Sequence, residues 1–139
     1  MFNSMINKLF YIIYSYYHEG NRKSSDTPKL TTFLIFSACI ISLIFTFSEL
    51  YRRLSNPDSF SKGLSINQPL LFCSVLVSFA VTYFMFFYNG KHRRINELYK
   101  DDKQLNSTRG KVIGFALVFF LMFSPFVFLI LGNFIVKAL

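Results

Sequence analysis

The residues in this sequence that are best suited to binding a ligand are four consecutive basic side chains, Lys91, His92, Arg93 and Arg94. They open a charged segment, KHRRINELYKDDKQLNSTRGK, which covers residues 91–111. A guanidinium can hold a phosphate through two parallel hydrogen bonds, so these four residues are candidate contacts to an anionic ligand or to lipid headgroups. The segment has neither a glycine-rich phosphate loop nor interleaved aromatic residues, which disfavours nucleotides and nucleic acids as partners. The interpretation we favour is a solvated or lipid-facing charged surface, and a bound anionic ligand is the alternative.

Residue types that support catalysis or metal binding are sparse. The two histidines, His18 and His92, are isolated and show no HExxH spacing, and the seven acidic residues all lie outside the long apolar runs. Cys39 and Cys73 each fall inside an apolar run without CxxC spacing, so we predict free thiols that behave as small hydrophobes. We therefore expect no catalytic site, no metal site and no bound cofactor, and we do not expect an enzyme.

Small and hydroxyl side chains recur every four residues in two of the apolar runs. At this spacing they share one face of a helix, where they allow close backbone approach and interhelical hydrogen bonds. We predict that the two helices pack on one another through these stripes, with a contact between subunits or a pore lining as the alternative. The stripes are Ala38, Ser42 and Thr46 in the first run and Ser74, Ser78 and Thr82 in the second.

The last apolar run contains a Ser124–Pro125 pair near its middle. Proline removes one backbone hydrogen bond and presses on the carbonyl four residues earlier, and a neighbouring serine can relieve the loss. We predict a static kink at this pair rather than a gating hinge. Phenylalanines surround the run on all sides, which is typical of a helix that faces lipid or a large apolar partner.

Three uncharged windows, residues 30–48, 67–90 and 112–136, must form the elements that carry these side chains. Hydrophobic residues make up 53% of the 139-residue chain and charged residues only 16%, and a soluble protein of this size has too little interior for so much apolar surface. The shortest window, as an α-helix, is just long enough for the hydrocarbon core of a bilayer. We therefore predict an all-α integral membrane protein with three transmembrane helices in a domain over residues 29–139.

Residues 1–28 form a separate unit, an N-terminal amphipathic helix followed by a polar linker. The helix is too short and too polar on one face to span a membrane, so we expect it to lie in the interface with its tyrosines near headgroup level. Ser4, Lys8, Tyr11, Ser15 and His18 mark the expected polar face, whereas Phe2, Met5, Ile6, Leu9, Ile13 and Tyr16 mark the apolar one.

The distribution of basic residues predicts the orientation. With three spans, eleven of the fifteen Lys and Arg residues share the side of the N-terminus and of residues 91–111, and four lie on the other side. Basic residues beside spans are retained in the cytoplasm, so we expect a cytoplasmic N-terminus and an outside C-terminus. We also expect the second span to continue as a helix into the cytoplasm until about residue 104.

The order of features resembles a group of small three-span bacterial membrane proteins of no assigned function. A Tyr-rich N-terminal helix precedes the first span, and the pattern RxINxxYKxD…RGKxIG joins a charged helix to the last span. The resemblance implies the bacterial inner membrane and supplies no site residues. We expect a non-catalytic subunit, scaffold or regulator of a membrane assembly, which contacts anionic headgroups and another membrane protein or a second copy of itself. The alternative is a homo-oligomeric pore or membrane-perturbing effector gated through the basic loop.

Overall fold

The computed structural model describes residues 2–20, 27–55, 68–128 and 130, and every regular element in these ranges is helical. This confirms the all-α prediction. In chain order the elements are α1 (Phe2–Gly20), α2 (Thr27–Ser55), α3 (Gln68–Thr82), a π-helical turn (Tyr83–Phe87), a 3₁₀ turn (Tyr88–Gly90), α4 (Lys91–Tyr99), α5 (Lys103–Asn106) and α6 (Thr108–Met122). A short helical piece over residues 124–128 follows α6.

Two segments of the described chain, Pro28–Ser55 and Gln68–Tyr99, are long and apolar enough to cross a membrane. Only 28% and 22% of their most apolar windows are buried inside the protein, whereas the core helix of a soluble domain is mostly buried. The linker residues 21–26 and residues 131–136 of the third predicted span lie outside the described residues.

The centre of α1 lies in the protein core. Phe10 is fully buried, and its ring stacks on that of Phe86 with 4.4 Å between centroids and 13° between planes. Phe36 of α2 closes this cluster, 4.8 Å from Phe86. Because α1 contacts α2, α4, α5 and α6, it holds together elements that are far apart in sequence.

The polar face predicted for α1 is partly buried in the protein. Tyr11 and Ser15, assigned to the polar face, are buried, whereas Met5 and Tyr16, assigned to the apolar face, are 59% and 51% exposed. The reason is that α1 is enclosed on several sides, and its buried hydroxyls have acceptors. Tyr11 donates to Asn106 Oδ1 at 2.7 Å and Ser15 donates to the Ile12 carbonyl at 3.2 Å, so their burial leaves no unsatisfied hydrogen-bonding group.

The second long segment changes direction sharply between α3 and α4. Asn89 and Gly90 both have left-handed backbone conformations, with φ of 54° and 69°, which glycine adopts freely and asparagine tolerates better than most residues. The expectation of a continuous helix until about residue 104 is therefore wrong. The helix breaks at Asn89, resumes as α4, and ends at Tyr99.

The backbone of α6 lies close to a side chain of α1 at Gly114. A Cβ atom added at Gly114 would lie 2.7 Å from Cδ1 and 2.9 Å from Cγ2 of Ile12, which is closer than carbon atoms can pack. Only glycine therefore fits where α6 crosses α1.

α6 ends at a break directly before the pair on which the sequence analysis places the kink. Phe123 leaves the helical conformation, with φ −96° and ψ 6°, and Ser124 and Pro125 begin the next helical piece. The N–H of Phe126 bonds to the Phe123 carbonyl at 3.0 Å instead of reaching back four residues to Met122. The carbonyl of Met122 is thereby released from the helical ladder.

Candidate functional site

The four candidate contact residues, Lys91, His92, Arg93 and Arg94, point to three different places in the structure. All four lie in the first turn of α4, where successive side chains are rotated by about 100° around the helix. Lys91 and Arg94 line one groove, Arg93 lines a separate cleft, and His92 is turned towards the aromatic core. The four residues therefore do not form a single site in the structure.

His92 packs as an aromatic side chain. Its ring stacks on Phe87 with 5.4 Å between centroids and meets the ring of Tyr14 at 6.1 Å. Both ring nitrogens are buried, and neither has a hydrogen-bond partner among the described residues. Burial lowers the pKa of His92, and the positive charges of Lys29 and Arg93 lower it further. A neutral imidazole is therefore favoured here, which is unsuited to holding an anion.

Arg93 lines a small polar cleft of about 290 Å³ between α1, α2 and α4. Lys29 contributes a second positive charge to the cleft, but Glu97 contributes a negative one. Burial raises the pKa of Tyr14 in the same cleft, and the charge of Arg93 partly opposes this rise. The cleft thus carries mixed charge, and an anion would meet the Glu97 carboxylate there. Its lining residues are Tyr14, His18, Lys29, Arg93, Asn96 and Glu97.

Lys91 and Arg94 lie at the rim of the larger groove, about 720 Å³ in volume, whose remaining lining is mainly apolar. Both side chains are exposed. The Lys91 ammonium donates to the Phe84 carbonyl in the π-helical turn at 3.0 Å, which holds it over the groove and leaves two of its three N–H donors. Among the described residues, no acidic side chain lines the groove. The walls come from α1 (Asn7), from α3 and the π-helical turn (Ala80, Val81, Phe84, Met85) and from α4 (Ile95, Leu98).

The two helices α2 and α3 pack on one another, as predicted, but their hydroxyl stripes face different partners. In α3 the buried side chains are Ser74, Ser78 and Thr82, and the helix contacts α2. The link between these two helices is a 3.1 Å hydrogen bond from the Ser37 hydroxyl of α2 to the Thr82 oxygen. The α2 stripe lies on the side of α2 that contacts α6.

Ser42 and Thr46 from that α2 stripe bond to the break in α6. The Ser42 hydroxyl donates to the Met122 carbonyl at 2.5 Å, which is the carbonyl that the break releases from the helical ladder. The Thr46 hydroxyl lies 3.0 Å from the hydroxyl of Ser124. Ala38, the third member of the stripe, is half-buried. The spacing indicated the correct faces, but it contains no information about which helix covers each face.

A charged cluster near the end of α2 is more buried than its sequence suggests. Glu49 and Arg53 are 6% and 1% exposed, and the Arg53 Nε lies 3.3 Å from a Glu49 carboxylate oxygen. Arg52, on the outer side, donates to the same carboxylate through Nε at 2.9 Å and through Nη2 at 2.5 Å. The Arg53 guanidinium also lies over the Phe128 ring, 5.9 Å from its centroid. The i, i+3 and i+4 spacing was the only sequence signal for this cluster.

No family model matches the chain, and neither a curated protein nor a solved structure shows a significant match to it. The class of protein is therefore defined by the fold alone. Over the residues that the structure describes, it is an all-helical chain with two helical segments long and apolar enough to cross a membrane.

Proposed function

We propose that the chain is a non-catalytic integral membrane protein with three spans, a subunit, scaffold or regulator of a membrane assembly. The observation that supports this proposal is the reversed placement of polar and apolar side chains on the long helices. Hydroxyl groups face the interior of the protein, and large hydrophobic side chains face outwards.

The reversal is clearest on α3. Its buried side chains are Ser74, Ser78 and Thr82, whereas Phe72 and Leu76 are 66% and 55% exposed. A helix on the surface of a soluble protein has the opposite arrangement. In lipid, polar groups must find partners inside the protein, and the hydroxyls of Ser74 and Ser78 donate to carbonyls of their own helix.

The same arrangement on α6 supports a third span. Gly114 and Val118 are its buried residues. Phe119 and Phe120 of α6, and Phe126 in the segment that follows it, are more than half exposed. Water would hydrate these rings at a large cost in free energy. Lipid, or an apolar surface of another membrane protein, would cover them without that cost.

For α1 we propose a position at the cytoplasmic boundary of the bilayer. α1 contacts α4, α5 and the beginning of α6, which are the elements of the basic segment and its junction with the third span. The excess of basic residues on this side favours a cytoplasmic location. In this arrangement α1 is anchored by the protein core as well as by lipid.

The two apolar faces on α3 and α6, which nothing within the described chain covers, support the assembly role, because a partner helix can cover them in place of lipid. Extraction in a mild non-ionic detergent followed by native mass spectrometry tests it, with the expected result of a second membrane protein at a fixed ratio. Phe72→Ala on α3 and Phe120→Ala on α6 form a matched pair of variants, and loss of the partner in one of them identifies the contact face. A monodisperse homomer would contradict the assembly role.

The membrane location and the orientation are tested separately. The chain is expected to stay with the bilayer in alkaline carbonate, and its release into the supernatant would contradict a spanning protein. In a version without native cysteines, Lys103→Cys is expected to react with a membrane-impermeant maleimide only after the cells are opened. Reaction in intact cells would show that the chain has the opposite orientation.

The pore alternative has a test of its own. Ser78 is fully buried against the rest of the chain, so a pore lined by this stripe requires α3 to separate from α2. Conductance in liposomes that changes in Ser78→Leu would favour the pore. Silent liposomes that contain correctly folded protein would favour the assembly role.

A further inference from the structure

We propose that the groove between α3, α4 and α1 binds one anionic phospholipid, with its phosphate at Lys91 and Arg94 and an acyl chain along the apolar walls. The proposal rests on the membrane location proposed above. It names a particular ligand and a particular site, whereas the general affinity of basic segments for acidic membranes requires neither.

The groove exists because of the left-handed break at Asn89 and Gly90. A straight continuation of α3 would carry residues 91–99 away from the residues that precede the break. Instead, Arg94 and Leu98 of α4 line the same groove as Ala80 and Phe84. The result is a channel of about 720 Å³, within the usual size range of small-molecule sites.

The lining of the groove is complementary to an amphiphile with a negatively charged headgroup. Two cations line the groove, and apolar side chains of α3, the π-helical turn and α4 form most of the remaining lining. The hydrogen bond from Lys91 to the Phe84 carbonyl fixes the ammonium where the cationic and apolar parts meet. Arg94 supplies the planar donor set that matches phosphate oxygens.

Two other cavities lack this combination. The cleft at Arg93 includes the Glu97 carboxylate and has a volume of only about 290 Å³. A cavity of about 610 Å³ beside α6 is lined by Ile13, Tyr17 and aliphatic or aromatic residues, with no cation among them. Of these three cavities among the described residues, the groove of Lys91 and Arg94 is the one where charge and shape agree.

The depth of the groove in the proposed orientation also suits a lipid. The charge-free window of the second span ends at Gly90, and Lys91 follows directly. Cations at this position lie at the level of the cytoplasmic headgroups, where they attract anionic lipids. Ala80 precedes Lys91 by eleven residues, about three helical turns, which places its wall at the level of the upper acyl chain. Phe84, whose carbonyl accepts from Lys91, lies between these two levels.

Native mass spectrometry of the detergent-extracted full chain, titrated with phosphatidylglycerol and separately with phosphatidylcholine, tests the proposal. The wild type is expected to retain one phosphatidylglycerol and to show weak, unsaturable phosphatidylcholine adducts. Two cations near a membrane surface contribute about fivefold each to the affinity, so Lys91→Gln with Arg94→Gln should weaken phosphatidylglycerol binding by about 25-fold. Lys100→Gln with Lys103→Gln is the matched control, since it removes the same charge outside the groove and should leave binding unchanged.

A third variant distinguishes lipid binding in the groove from lipid binding to a charged surface. Ala80→Phe keeps both cations and fills the channel from an exposed position, so it should also abolish the retained lipid. Equal weakening in both double variants, or unchanged binding in Ala80→Phe, would overturn the proposal. Displacement of the lipid by millimolar inorganic phosphate would overturn it as well, since the site would then recognise the anion alone.

The lipid result and the assembly result are independent. A chain that copurifies with a partner but retains no lipid refutes only the groove. A lone homomer that retains one phosphatidylglycerol refutes only the assembly role.

Discussion

The hydroxyl of Tyr11 donates a 2.7 Å hydrogen bond to Oδ1 of Asn106, a residue 95 positions later in the chain. The amide nitrogen of Asn106 in turn donates to the carbonyls of Lys100 and Asp102 at 2.8 and 2.9 Å. One side chain thus closes the loop between α4 and α5 and fastens it to α1. The charged segment is held to the helical bundle through this contact.

We expect Tyr11→Phe to lower the free energy of unfolding by about 1 kcal/mol, because it removes this hydrogen bond without changing the packing of the ring. Thermal unfolding in detergent, followed by circular dichroism, measures the change. Tyr16→Phe is the matched control. Because Tyr16 is half exposed, this variant should unfold like the wild type. Equal effects in the two variants would mean that the contact with Asn106 contributes nothing to stability.

Gly114→Leu should destabilise the protein by about 1–3 kcal/mol, the usual range for overpacking, because its side chain meets Ile12 where α6 crosses α1. Ala116→Leu adds a side chain at an exposed position of the same helix and should be nearly neutral. Ile12→Ala should recover part of the loss in Gly114→Leu, which a double-mutant cycle detects. If the two substitutions simply add, α1 and α6 do not meet at this point.

Ser42→Ala should cost about 1–3 kcal/mol, since it leaves the released Met122 carbonyl without a donor. Ser48→Ala, on the same helix, is the control and should cost less. The loss of stability in Ser42→Ala should be smaller in a Pro125→Ala background. Without the proline the helix can continue, and the N–H of Phe126 can then bond to the Met122 carbonyl. Additive costs in this cycle would contradict the link between the α2 stripe and the break in α6.

The lowered pKa of His92 gives a pH dependence whose direction is fixed. Below its ordinary value of 6.5, the unfolded chain binds a proton at this residue more readily than the folded chain does, so stability should fall as the pH decreases. His92→Phe keeps the ring contacts and should remove this part of the decline between pH 7 and pH 5. His18→Gln serves as the control and should retain it. Parallel unfolding curves for His92→Phe and wild type at both pH values would contradict the assignment.

Much of the fold could be predicted from periodicity and composition. Charge-free windows indicated the long helices, and four-residue spacing indicated the faces of α2 and α3 that carry hydroxyls. Which helix covers each face depends on packing between distant segments, so Ser42 was paired with α3 although it bonds to α6. The same limit applies to α1, whose two-sided pattern did not indicate that several elements enclose it.

The candidate site was less predictable, because it depends on one turn. Asn-Gly is a recognised turn dipeptide, and Asn89–Gly90 was the available signal for the break. Read as part of a continuous span, the dipeptide gave no reason to separate Lys91 and Arg94 from Arg93. The groove could not be inferred without the break, since residues 80–84 and 94–98 meet only because the chain turns there.

The π-helical turn at Tyr83–Phe87 makes the orientation of α4 depend on a single residue. Such a turn holds about one residue more than an α-helical turn. Deleting one residue between 83 and 87 would let α3 continue regularly and would rotate everything that follows by about 100°. His92 would then leave the aromatic core and another residue of α4 would replace it. Chain length in these five positions, more than the identity of any side chain there, sets which residues of the charged segment face the protein.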